Sequence, residues 1–307
     1  MRLLLLLSLA SAPVVVGAQE VRVTLLGTGS PAPSPVRFGP ATLVQAGGQT
    51  LLFDVGRGAV VRLWQRGIPV RSVDAVFLTH LHHDHFNGLA DLWLTGWLRT
   101  EYGQRQTPLR LIGPVGTETV ARGLELAYSR NVDIRVADEH LPREGAAFEV
   151  AEFTAPEVVY SQGGVEVRAF PVDHGEAITP AVGFRVDYAG LSVVLSGDTT
   201  YDERLVESAR GVDLLIHEVM AWNDEAMRTV PGAPDIAAHH TTPEEAGRIF
   251  AQAAPALAVY THLVVRGVTD DQLEARTRTA YDGPLVVGHD LMTFVVRPGA
   301  VAVEASD

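Results

Sequence analysis

Residues 80–85, His80-Leu81-His82-His83-Asp84-His85, set four imidazoles and one carboxylate within a single short stretch. Nitrogen and carboxylate donors together suit zinc and similar first-row divalent ions. A histidine-rich solvated loop is the bland alternative, but a His-x-His-x-Asp-His spacing is far more specific than a single pair. Further donors stand apart in the chain at His174, Asp198, His217-Glu218, His240 and His262. A site assembled from such distant segments needs rigid elements to aim them.

Those elements are legible in outline. An apolar run at 75–78 reads as a buried strand that stops at Thr79, and Gly88 releases the chain into a helix. Ahead of it lie a strand at 21–26, a loop at 31–40 and a hairpin of 41–46 with 50–55 turning at Gly47-Gly48. Asp54, at the end of that hairpin, is read either as orienting a ligating histidine or as capping the next helix. A strand at 109–112 precedes a helix expected to end about Tyr128, after which Ile134, Val136, Phe148 and Phe153 mark strand-like pieces. In the second half, strands at 165–171, 191–195, 212–216 and 257–260 each end beside a candidate donor: His174, Asp198, His217-Glu218 and His262. Helices at 201–209, 242–253 and 270–279 separate or follow them. The pattern predicts an α/β chain in which two sheets pack face to face with helices outside.

Composition narrows the setting. The 307 residues are 47% hydrophobic, enough for a deep core, and carry a formal net charge of −13. None of the 24 basic residues is a lysine. An acidic chain opposes polyanion binding through counterion release. Met1-Arg2, the apolar stretch 3–9 and the small residues up to Ala18 read as a secretory signal peptide, with 19–307 as a single domain and a secreted or periplasmic destination. Cysteine is absent, so disulfides are excluded and any zinc site must use histidine and carboxylate.

Residues 80–85 resemble the signature of the metallo-β-lactamase-fold superfamily. That resemblance implies an αββα four-layer sandwich, with two mixed β-sheets and helices on the outer faces. It also implies two zinc ions, manganese or iron being alternatives. His80, His82 and His174 would hold one ion; Asp84, His85 and His262 the other; and Asp198 would bridge them. His83 falls at a variable position and is not expected to ligate. A hydroxide held by such a pair is a nucleophile at neutral pH.

Classical metallo-β-lactamases mostly lack a bridging carboxylate, so Asp198 points elsewhere in the superfamily. Leu215-Ile216-His217-Glu218, the segment from His240-Thr241-Thr242 to Ala246, and Tyr260-Thr261-His262-Leu263 resemble the ribonuclease Z group and its arylsulfatase-like and small phosphodiesterase relatives. The resemblance implies a Glu218–His240 relay, with Asp84, Glu218 and His240 as catalytic residues; His239 is the neighbour that could replace His240. The interval from His174 to Asp198 has room for one hairpin and not for a long RNA-gripping arm. With the acidic charge and the leader-like N-terminus, that favours an exported hydrolase of a small anionic ester, a phosphodiester or aryl sulfate, over tRNA 3′ processing. No nucleic-acid or membrane partner is expected, and a homodimer is left open. A lactonase or β-lactamase activity, or a non-catalytic metal-binding module, are the alternatives. Phe86, Trp93, Trp97, Trp222 and Arg266 are the candidate substrate contacts, although Trp93 and Trp97, at helical spacing with Leu92 and Leu94, read first as core and only second as a substrate wall; His140 and His289 have no assigned role.

Overall fold

The computed structural model describes residues 19–304; the leader read at 1–18 lies outside the described residues. The chain first lays down β1 (Val21–Gly27), β2 (Ala41–Ala46), β3 (Gln49–Phe53), β4 (Ala75–Phe77), β5 (Leu109–Pro114) and β6 (Phe148–Phe153). It then builds a second sheet from β7 (Glu157–Gln162), β8 (Val165–Pro171), β9 (Val182–Tyr188), β10 (Leu191–Leu195), β11 (Leu214–Trp222), β12 (Leu257–Arg266) and β13 (Leu285–Val287). Finally β14 (Thr293–Arg297) and β15 (Ala300–Glu304) return to the first sheet. The sheets run β15-β14-β1-β2-β3-β4-β5-β6 and β13-β12-β11-β10-β9-β8-β7. Both mix parallel and antiparallel pairs, as β3–β4 against β2–β3 and β10–β11 against β9–β10 show.

Alternation along each strand divides the apolar residues between layers. In β3, Leu51 and Phe53 enter the core between the sheets while Leu52 faces outward. Phe53 stacks on Phe77 at 4.7 Å, and Phe184 of the opposite sheet meets Phe77 edge-on at 5.6 Å. The outward residues of the first sheet pack under α1 (Ala59–Gln65), α2 (Leu89–Trp97) and α3 (Thr117–Asp138). Those of the second sheet pack under α4 (Glu203–Ser208), α7 (Pro243–Ala253) and α8 (Asp270–Thr277), with the short α5 (Asp224–Thr229) and α6 (Ala233–Ala237) between. Three apolar layers between four structural ones make the αββα sandwich. Among the described residues no helix is long and apolar enough to cross a membrane.

Two expectations fail locally. Ile134 and Val136 lie in α3, which continues to Asp138 because Val132 is buried there and keeps the helix seated. Strands β11 and β12 do not stop at Ile216 and Tyr260 but run on to Trp222 and Arg266. A bulge makes this work: opposite Glu218–Val219, the partner jumps from Thr261 to Leu263, and His262 takes φ 41°. The displaced residue is aimed out of the ladder without ending the strand.

Candidate metal centre

The donors converge at the same end of both sheets. The loop after β4 supplies His80, His82, Asp84 and His85, with residues 83–85 wound into one 3₁₀ turn. The segments after β8 and β10 supply His174 and Asp198, and the β12 bulge supplies His262. Asp198 depends on Gly197, whose φ is 61° and where a Cβ would come within 2.5 Å of the Val182 carbonyl.

Asp198 is at the centre. Its Oδ2 lies 3.3 Å from His85 Nε2, 3.4 Å from His262 Nε2, 3.7 Å from His174 Nε2 and 3.9 Å from His80 Nε2. The donor atoms of His80, His82, His174 and Asp198 fall within 4.8 Å of one another, and so do those of Asp84, His85 and His262. Asp198 thus faces both groups. His83 is exposed and belongs to neither group, as its variable position implied.

Whether a cation fits can be judged from the hydrogen bonds. His174 Nδ1 donates to the His239 carbonyl at 2.7 Å, and His85 Nδ1 donates to Asp54 Oδ2 at 2.8 Å. In each ring Nε2 is then the nitrogen turned to the Asp198 carboxylate, and His85 Nε2 has no hydrogen-bond partner. Imidazole nitrogens gathered this closely around a buried carboxylate are a donor set that a divalent cation can take up between them. His82 Nδ1 is 3.0 Å from His80 Nε2 and 3.3 Å from His174 Nε2. Tetrahedral zinc with Zn–N of about 2.0–2.1 Å requires edges of roughly 3.3 Å. The donor set fits a divalent metal.

The field within the site is strong. Burial lowers His80 well below the usual histidine value and His174 to about 4. Asp198, although burial opposes its charge, is held well below the carboxylate range by His262 and His85. The outer contacts confirm one sequence reading: Asp54 orients His85, while also accepting from the Thr79 backbone N–H at 2.9 Å. Thr79, read in the sequence only as the end of a strand, adds a hydroxyl 3.0 Å from His80 Nδ1; its place beside the first histidine was the available signal.

Glu218 and His240 meet as the resemblance implied, with His240 Nδ1 3.0 Å from Glu218 Oε1. The same oxygen accepts from the backbone N–H groups of Thr199 and Thr241 at 3.1 and 3.2 Å. Burial, reinforced by Asp198, raises the Glu218 carboxyl well above its usual range, and burial lowers His240 to about 4. His240 lines a cleft of about 240 Å³ together with His82, Asp84, Asp198 and His262. Trp222 and Arg266 line it too, as expected. Trp93 and Trp97 do not: at 0% and 1% exposure they fill the core under α2. Phe86 packs against that same core. His289 pairs with Asp270 at the surface, 2.9 Å away, and His140 lies beyond the end of α3.

Residues 49–263 match the family model for the beta-lactamase superfamily domain. Ribonuclease Z of Mycobacterium marinum is 37% identical over 273 residues, which is 88% of this chain and 97% of that protein. The chain belongs to the ribonuclease Z family of the beta-lactamase superfamily. The ribonuclease Z of Mycolicibacterium paratuberculosis is 38% identical over 88% of this chain and 96% of its own. The crystal structure of human tRNase Z, short form, superposes with a TM-score of 0.65 at 26% identity, covering 89% of this chain and 98% of that one. Fold, donor set and family together make the protein a metal-dependent hydrolase.

These matches overturn the expected substrate. A small anionic ester, an aryl sulfate included, and the exclusion of nucleic acid do not stand against relatives named for acting on RNA along nearly their whole length. The short interval between His174 and Asp198 does not remove the chain from that family, since the match spans 97% of the Mycobacterium marinum protein. Net charge misled for a physical reason: a sum of −13 over the chain does not report the local field at one cleft.

Proposed function

We propose that the protein is a zinc-dependent endoribonuclease of the ribonuclease Z type, hydrolysing a phosphodiester bond near the 3′ end of a precursor tRNA. The observation that carries this reading is the buried Glu218–His240 pair standing beside the Asp198-centred donor cluster, in a chain that matches ribonuclease Z nearly end to end. His80, His82 and His174 would hold one ion and Asp84, His85 and His262 a second, with Asp198 shared. When bound, such ions polarise a phosphoryl oxygen and bring a water to its reactive form near neutral pH.

The chain's own groups do the rest. Asp54 and the His239 carbonyl fix the tautomers of His85 and His174, so that Nε2 is the donor in each. Glu218 holds the His240 ring by Nδ1, which leaves the other nitrogen for the cleft and for a proton to the departing oxygen.

The test is cleavage of a precursor tRNA with a 3′ extension by the zinc-loaded protein. A cut near the 3′ end, lost on chelation and restored by zinc, is the expected result. His240→Ala should slow it by about 10²–10⁴-fold, the usual weight of a positioned acid, with metal content unchanged. An uncut precursor, with metal bound, would refute the reading.

A further inference from the structure

The cleft beside the metal centre has two unlike ends. One carries the metal-site donors and His240, and the other is walled by Val230, Ile236, Val264 and Val265 around Trp222 and Arg266. That second end is rigid. Trp222 of β11 is in direct parallel register with Arg266 of β12, and the Asn223 N–H donates to the Arg266 carbonyl at 3.0 Å. The guanidinium lies over the indole, 5.2 Å from the ring centroid.

Neither side chain is spent on the fold. Trp222 is only partly buried, unlike Trp93 and Trp97, and its other side lines a second groove with Asn223, Gly267 and Gln272. Its buried Nε1–H has no hydrogen-bond partner. Arg266 makes no ion pair among the described residues, although the chain is acidic. A flat π-surface and a guanidinium plane, set in an apolar wall, suit a nucleobase far better than a phosphate. Trp222 is four residues from Glu218 along β11, about 13 Å at the strand rise, which is beyond the scissile phosphate and within reach of a neighbouring nucleotide.

We propose that Trp222 and Arg266 form a stacking subsite for one nucleobase flanking the cleaved bond. The proposal rests on the RNA reading above and adds to it where the strand is gripped.

It is tested by kinetics on precursor tRNAs carrying a single abasic nucleotide at each position flanking the cut. Wild-type protein should lose about 5- to 150-fold in kcat/KM at one position, the range that base-on-aromatic stacking carries. Trp222→Ala should lose a similar factor on intact RNA and then be indifferent to the abasic replacement at that position. Trp222→Phe should recover most of the loss, and zinc content should be unchanged in both variants. Equal losses by Trp222→Ala on intact and abasic RNA, or no sensitive position in the wild type, would overturn the subsite and leave the RNA reading intact. Failure of the wild type to cut any precursor would bring down that reading and the subsite together.

Discussion

At the scale of single residues, the site depends on groups that never touch a metal. Asp54 holds a left-handed backbone, φ 56°, and accepts from both His85 Nδ1 and the Thr79 N–H. Asparagine tolerates that backbone as readily as aspartate, so Asp54→Asn removes the charge without adding strain. Metal affinity should fall about 10–100-fold, the usual cost of losing a carboxylate behind a ligating histidine, measured by competition with a chromogenic chelator. Unchanged affinity would mean that the carboxylate only braces the loop. The sequence carried much of this scale. The His-x-His-x-Asp-His spacing and the donors after β8 and β10 are where their residue types placed them. Trp93 and Trp97 show the limit, since helical spacing draws the pair to the core while its place after the metal loop draws it to a cleft. Burial decides, and burial is a tertiary property.

At the scale of elements, where strands begin was easier to read than where two of them end. A buried polar residue inside an apolar run breaks period-two patterning, so β11 and β12 were cut short at their most functional residues. The bulge that lets His262 leave the ladder has no local sequence mark, because it is a relation between two strands. Ile134 and Val136 misled in the opposite way, being β-branched or strand-favouring types on a helix seated by its neighbours. Asp290 is another tertiary device. Its carboxylate accepts from the Thr28 and Phe38 backbone N–H groups and from Arg62 of α1, and the Arg62 guanidinium also lies 4.0 Å from the Phe38 ring. These contacts tie α1 to the loop whose Pro31 and Ala32 wall the cleft. With side-chain exposures of 4% and 11%, Asp290 and Arg62 are a nearly buried pair. Asp290→Ala, which strands the arginine, should cost about 3–5 kcal/mol in urea unfolding. A loss under 1 kcal/mol would show that the loop holds without its anchor.

At the scale of the whole molecule, the donor cluster is also a clasp. His80, His82, Asp84 and His85 come from the first sheet, and His174, Asp198 and His262 from the second. Between the sheets the apolar core is continuous, but at this end the facing groups are imidazoles and carboxylates, which attract one another fully only through a cation. Metal bound there holds the native state and not the unfolded chain, so it must stabilise the fold by mass action. With free zinc at about a thousand times Kd the gain is about 4 kcal/mol. Chelation should therefore lower the thermal midpoint as well as abolish hydrolysis. The size of that drop should shrink in Asp198→Ala, because Asp198 faces both donor groups and its loss weakens the hold of either group on a cation. The physical requirement is coupling between the sheets: zinc-loaded and chelated wild-type protein melting at the same temperature would mean that the sheets are joined by their apolar core alone. The seven donors would then be a site resting on the fold and no part of what holds it together.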